Sequence, residues 1–241
     1  MKNKLDSHLK AYQGGFIYEF DNQIQMNWYP NRIIDFVDSN NSILELGLGH
    51  GITTNLFSQY FNRHLVIDAS PAVIENFQQE FSSCKAEIIE GYFEKFESEE
   101  KFDLIIMGFV MEHVDDPEII LKHFKQFLKP NGKIYITVPN AEVMNRRLGN
   151  FAGDLPDMQL LSEHDHICGH QRYYTVKTLS EQIESHGFQI DRLEGIYLKP
   201  MSTKQMISLE LDQKYIDSLC QLGVSYPELC CGIFVEFSIK Q

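Results

Sequence analysis

Between residues 42 and 140 short apolar, β-rich runs alternate with segments of helical character. The runs are SILEL (42–46), HLVID (64–68), AEIIE (86–90), DLIIMG (103–108) and KIYITV (133–138), with helices expected near 52–61, 71–82 and 117–128. Strands that alternate with helices in this way build a parallel sheet covered on both faces, which is the doubly wound α/β class. Pro117 stands at a first-turn position that tolerates proline, and Lys129-Pro130-Asn131-Gly132 reads as the stop after that helix.

After Pro139 the alternation lapses, then resumes with a helix near 175–186 closed by Gly187 and a strand near 188–197. Residues 201–224 again have helical character, and GIFVEFSIK (232–240) reads as a final strand. That strand follows its predecessor without an ordinary crossover helix, so it is expected to run antiparallel to its neighbours. Two interruptions, 141–174 and 199–226, fall where a cover over the strand ends would be built, and residues 1–40, rich in Tyr and Phe and holding Trp28, are expected to form a helical cap. With 241 residues and 28.0 kDa the chain is expected to be one domain carrying these insertions as lids, with no room for a second.

Composition narrows the partners. Apolar residues make up 43% of the chain, with 17 Phe and 11 Tyr, enough for a large core. Asp and Glu outnumber Lys and Arg by 34 to 21, so non-specific binding to nucleic acid is not expected. The N-terminus MKNKLDSHLK lacks the apolar stretch of a signal peptide, and no run is apolar for the ~18 residues a membrane span needs. The expected location is therefore cytoplasmic, without membrane contact. Cys84, Cys168, Cys220, Cys230 and Cys231 show no CxxC pairing and are expected to be free thiols.

Candidate chemistry begins at Glu45-Leu46-Gly47-Leu48-Gly49-His50-Gly51, between a strand and a helix, where an open sheet meets its ligands. A dinucleotide fingerprint needs its third glycine five positions after the first, but Gly51 lies four after Gly47, which disfavours NAD. Asp68 ends the second strand 21 residues after Gly47, placed for a ribose diol. A glycine turn in some other α/β fold is the bland alternative. Together with GFVMEHVDDP, LKPNG and VPNA, the segments ELGLGHG and VIDAS resemble the class I S-adenosylmethionine-dependent methyltransferases, in their small-molecule branch.

That resemblance implies a Rossmann-like seven-stranded sheet of order 3-2-1-4-5-7-6. It further implies that Glu45 orients the glycine loop or the methionine ammonium, that Gly47 and Gly49 pass beneath the methionine, and that Asp68 holds the ribose with Ala69 near the adenine. Tyr92 and Phe93 would flank the adenine, and Gly108 would offer its backbone to the methionine end. Many relatives carry Asp where Tyr92 stands, which leaves the adenine amino group to another partner, with Glu94 a substitute. The cofactor implied is S-adenosyl-L-methionine, its product S-adenosyl-L-homocysteine.

Methyl transfer needs the acceptor atom held in line, and an aliphatic hydroxyl must also lose its proton. His113, at the end of the fourth strand, is the first candidate base and His170 the second; that His113 simply packs under a loop is the alternative for it. His170 belongs to LSEHDHICGHQRYYT, where His166, Arg172 and Tyr173 are candidate acceptor contacts and Arg172 suits an anionic or phosphorylated group. The usual metal spacings are missing from this stretch, so no metal is expected. Asn140, Tyr18 and Tyr29 complete the candidate acceptor wall.

The expected activity is methylation of a small polar acceptor, above all a hydroxyl oxygen of a sugar, sugar-nucleotide or natural-product intermediate. N-methylation or methylation of a peptide carboxylate are the alternatives within enzymes, and a non-catalytic cofactor-binding partner subunit is the alternative outside them. A homodimer stays open.

Overall fold

The computed structural model describes residues 15–240. Helix α1 (Glu19–Ile34) leads into strand β1 (Ser42–Leu46), and α2 (Ile52–Tyr60), β2 (Arg63–Asp68), α3 (Pro71–Glu80), β3 (Glu87–Glu90) and β4 (Phe102–Gly108) follow. Then come α4 (Pro117–Phe124), β5 (Leu128–Pro139), α5 (Met144–Ala152), α6 (Glu163–Cys168), α7 (Val176–Ser185), β6 (Phe188–Leu198), α8 (Thr203–Ser208), α9 (Gln213–Gly223) and β7 (Cys230–Ile239). Of the expected N-terminal cap, residues 1–14 lie outside the described residues, and the remainder is the long helix α1.

The strands form one seven-stranded sheet of order β3-β2-β1-β4-β5-β7-β6. Strands β1 to β5 pair in parallel, and β7 runs antiparallel to both β5 and β6. Successive side chains of a strand point to opposite faces, and the two cores follow from that period. Ile43, Leu104, Ile106, Tyr135 and Phe234 meet Tyr29 of α1, Met206 of α8 and Cys220 of α9 on one face. Leu44, Leu46, Ile105, Met107, Ile134 and Ile136 meet Leu121, Leu179 and Ile183 of α4 and α7 on the other. The second insertion thus packs onto the sheet through α8 and α9.

Helix α4 starts as its sequence prescribes: Pro117 occupies the first turn, and the Asp116 carboxylate accepts from the backbone N–H of Glu118 and Ile119. Its expected stop is displaced. The helix ends at Phe124, and Lys129-Pro130-Asn131-Gly132 belongs to the start of β5, where the pairing with β4 shifts register and Asn131 takes a left-handed φ of 65°. A bulge tolerates proline in a strand, because no ladder hydrogen bond is demanded of it there.

Candidate active site

A cavity of about 610 Å³ opens at the carboxyl ends of β1, β2, β4 and β5, within the size of ordinary small-molecule sites. Its first half is backbone. Gly47, Gly49 and Gly51 all take left-handed φ values, 79°, 49° and 75°, so the chain turns tightly between β1 and α2. A side chain on Gly51 would drive into Phe77 and Phe81. The loop is pinned to β2 from both sides: Gly47 N donates to Ile67 O at 2.8 Å and Leu48 N to Asp68 Oδ2 at 2.9 Å.

Asp68 therefore has structural work as well as a place on the cavity wall. Its Oδ1 accepts from Ser70 N at 2.8 Å, and each oxygen keeps a second acceptor direction for a ligand. Burial raises its pKa against the lowering effect of the two backbone bonds. Ala69, Tyr92, Phe93 and Glu94 line the same end, with Phe93 beside Gly47. Gly108 lies under the Tyr29 hydroxyl, which a β-carbon at that position would overlap. Glu45 is not on the wall: it is 2% exposed, accepts from Thr53 Oγ1 at 3.1 Å and lies 2.8 Å from His64 Nε2, beneath the loop. The left-handed glycine turn, the acid ending β2 and the aromatic ring beside Gly47 fit an adenosyl cofactor.

The second half holds the titratable groups. His113 follows β4 and His170 follows α6, yet their rings meet edge to face with centroids 4.8 Å apart. His170 Nδ1 lies 3.0 Å from Asp165 Oδ1, while the other oxygen of Asp165 accepts from Tyr173 OH at 2.8 Å and from Ser162 N at 2.7 Å. Burial would raise the Asp165 pKa, but these contacts hold the carboxylate well below its usual range. For His170, burial works against the charged ring, and Asp165 and Glu112 outweigh it to raise the pKa.

Glu112, to which the sequence assigns no catalytic or binding role, stands beside His113. It is 0% exposed, neither carboxylate oxygen has a hydrogen-bond partner, and burial pushes its pKa up to about 7. One ligand atom each from Glu112, His113 and His170 falls within a common 4.8 Å, so these three, rather than the run Glu163 to His170, are the metal-compatible group among the described residues. The signal was present in Glu112-His113, but only the approach of His170 completes it.

Other expected acceptor residues land differently. Tyr18, Tyr29 and Tyr173 line the cavity, and Tyr18 stacks on His164 with centroids 4.5 Å apart, bringing α1 against α6. His166 is exposed on α6 and does not line the cavity; the helix turns His164, Asp165 and Cys168 inward instead. That phase was readable from the capping box, in which Ser162 and Asp165 fix the first turn of α6. Asn140 reaches the wall, but its amide donates to the carbonyls of Pro227, Glu228 and Cys230 and its oxygen accepts from Glu142 N, so it clamps β5 to the approach of β7.

Arg172 also corrects its expectation. Its guanidinium donates to the carbonyls of Met111 at 2.9 Å, of Val114 and of Asp115 at 3.2 Å, holding the turn after β4 instead of facing an anion in the main cavity. Asp21 and Gln25 of α1 and Lys199 after β6 do line the cavity. Their spacing from Tyr18 and Tyr29 places Tyr18, Asp21, Gln25 and Tyr29 on one stripe of α1.

The sheet order, the antiparallel β7 and the glycine loop facing Asp68 define a class I S-adenosylmethionine-dependent methyltransferase. The chain belongs to the family described as a methyltransferase domain, whose model matches residues 23–193. It is 25% identical over 190 residues to the ubiquinone biosynthesis O-methyltransferase of Rickettsia conorii, across 77% of this chain; the chain spans 64% of that protein's length. Among solved structures it resembles the N-methyltransferase NodS of Bradyrhizobium japonicum with bound S-adenosyl-L-homocysteine, at TM-score 0.63 and 13% identity with both chains fully covered. It also resembles a possible histamine N-methyltransferase of Thermotoga maritima, at TM-score 0.66 and 14% identity over 98% of each chain.

Proposed function

We propose that the chain transfers a methyl group to a hydroxyl oxygen of a small polar acceptor, with a histidine of the His113–His170 pair taking the proton. Bound S-adenosylmethionine supplies an activated methyl whose leaving group is a neutral thioether. The observation that carries the reading is the acid–base cluster beside the glycine loop: Asp165, His170, His113 and Glu112 in one wall of the cavity. Asp165 Oδ1 lies 3.0 Å from His170 Nδ1 without hydrogen-bond alignment, so the carboxylate favours the protonated ring by its charge and leaves the tautomer of the neutral ring open. General-base help of this kind contributes roughly 10² to 10⁴ in rate.

The name O-methyltransferase in the R. conorii relative supports oxygen as the atom methylated. The N-methyltransferases among the structural neighbours support the second reading, an amine acceptor, which depends less on a base. With Arg172 occupied by backbone, the case for an anionic acceptor loses its residue, and a neutral one is the better reading. Methyl transfer from labelled S-adenosylmethionine to a panel of alcohols, phenols and amines tests this. Turnover of alcohols or phenols that falls at least 10²-fold in His113→Ala or His170→Ala is the expected result. Turnover of amines alone, at parental rate in both variants, would favour the N-methyl reading.

A further inference from the structure

Strand β4 breaks its own alternation where it reaches the cavity. Leu104 and Ile106 pack on the sheet face that carries α1, Ile105 and Met107 on the opposite face, and Gly108 returns to lie under the Tyr29 hydroxyl of α1. A period of two sends the next residue to the face of Met107. Phe109 instead packs with the α1-face cluster, its ring edge to face with Tyr29 at a centroid distance of 6.0 Å.

The backbone accounts for the exception. Phe109 takes a left-handed φ of 55°, which a bulky side chain rarely adopts. Its N–H donates to Thr137 O at 2.9 Å and to Thr137 Oγ1 at 3.1 Å, which holds the kink against β5. Tyr197 is also left-handed, at 59°, but it is wholly buried, whereas Phe109 is half-buried and lines the cavity. Strain of this kind persists only where the surroundings hold it, and it gathers at sites that use it. Here it turns an aromatic ring onto the cavity side, next in the chain to Gly108 and four residues before His113, both of which line the cavity.

The surrounding wall decides what such a ring can hold. Tyr18, Met26, Tyr29, Val143 and Tyr173 give it further apolar surface. Much of its polar surface is already engaged: the Asn140 amide and the Arg146 guanidinium donate to backbone carbonyls, the Tyr173 hydroxyl to Asp165, and Lys199 and Thr203 to Asp21. A sugar would bring several hydroxyls that lose water without gaining partners. An aromatic ring needs no hydrogen bonds along its faces, and a hydroxyl on its edge can meet the histidines.

We propose that Phe109 selects the acceptor by packing against an aromatic ring whose hydroxyl is offered to the His113–His170 pair, so that the acceptor is a neutral phenol. The assignment rests on the hydroxyl methylation proposed above and names its substrate class.

The test uses the chain loaded with S-adenosyl-L-homocysteine and titrates catechol, methyl α-D-glucopyranoside and cis-cyclohexane-1,2-diol, which keeps two hydroxyls on a saturated ring, followed by saturation-transfer NMR. Catechol should bind roughly fivefold or more tighter than the diol, the margin an aromatic pair adds beyond the area it buries. Phe109→Leu, which keeps apolar bulk without the ring, should bring the two within about twofold of each other, and Phe109→Tyr should retain the preference. Both variants should leave S-adenosyl-L-homocysteine affinity within about twofold of the parent, because the ring is assigned to the acceptor. Should Phe109→Leu fail to fold, Phe109→Gly, which relieves the left-handed backbone, carries the test. Diol or glucoside bound by the parent as tightly as catechol, no catechol binding, a preference unchanged in Phe109→Leu, or catechol and diol weakened alike would overturn the selection by Phe109. Catechol bound and selected as expected, but left unmethylated by S-adenosylmethionine while amines are methylated, would support that selection and overturn the hydroxyl reading. Failure of the parent chain to bind S-adenosyl-L-homocysteine would overturn the methyltransferase reading beneath both.

Discussion

The imidazole of His170 meets that of His113 edge to face at a centroid distance of 4.8 Å, although one follows α6 in the first insertion and the other follows β4 of the sheet. Asp165 stands 3.0 Å from Nδ1 of His170, so the histidine from the insertion is the one with a carboxylate beside its ring. The insertion therefore does more than roof the cavity.

If His170 is the base, Asp165→Asn should lower kcat by roughly 10²-fold or more, because the ring loses the carboxylate that stabilises its charged form as it takes the proton. Asp165 raises the His170 pKa, so its removal should move the acidic limb of the pH–rate profile to lower pH. A profile whose limb does not move would take the base role from His170. In stability the pair has two limits. The raised His170 contributes fully below its unfolded value near 6.5 and loses that contribution as pH rises through its folded pKa. The depressed Asp165 contributes above about 4 and loses that as pH falls. Denaturant midpoints should respond to Asp165→Asn most strongly between about pH 4 and 6.5.

Glu112→Gln should make the fold more stable in neutral and alkaline solution. The folded pKa of about 7 lies above the unfolded value, so ionising Glu112 costs stability progressively from about pH 4 upward, reaching roughly 2–4 kcal/mol above pH 7. The amide never ionises, so urea denaturation should show this gain at pH 8 and none at pH 4. An equal gain at both would mean that the charge is not its source.

Asp68→Ala removes both a cavity carboxylate and the tie between β2 and the glycine loop. Calorimetry should find S-adenosyl-L-homocysteine binding weakened roughly ten- to a hundredfold, from ~1.5–3 kcal/mol per charge-assisted hydrogen bond. Affinity equal to the parent would remove Asp68 from the cofactor site.

Arg172→Ala should lower stability by roughly 2 kcal/mol, and Arg172→Lys should restore little of it, because one ammonium cannot reproduce a planar fork across the carbonyls of Met111, Val114 and Asp115. Neutral and anionic acceptors should lose activity alike. A selective loss for anionic ones would return Arg172 to acceptor binding.

Dialysis against EDTA should leave turnover unchanged if the histidines act as bases. Loss of activity restored by magnesium or manganese would instead assign Glu112, His113 and His170 as ligands to the ion.

What the sequence determined by itself is local. Strands such as SILEL and DLIIMG, the helix start at Asp116-Pro117 and the turn Gly47 to Gly51 depend on residues adjacent in the chain, where apolar runs, capping and left-handed backbone are decided. The places of Asp68 and His113 on the cavity wall were legible for the same reason, since Asp68 ends β2 and His113 follows β4 by five residues on the side where an open sheet binds ligands. The tertiary structure decided everything that required two distant segments to meet. It turned His166 outward and His164 inward by the phase of α6, gave Arg172 and Asn140 to backbone carbonyls far away in sequence, and set Lys199 on Asp21. A polar side chain's function depends on which partner claims its hydrogen bonds first, and that partner comes from packing, because leaving such a group buried and unpaired costs more than any local pattern can offset.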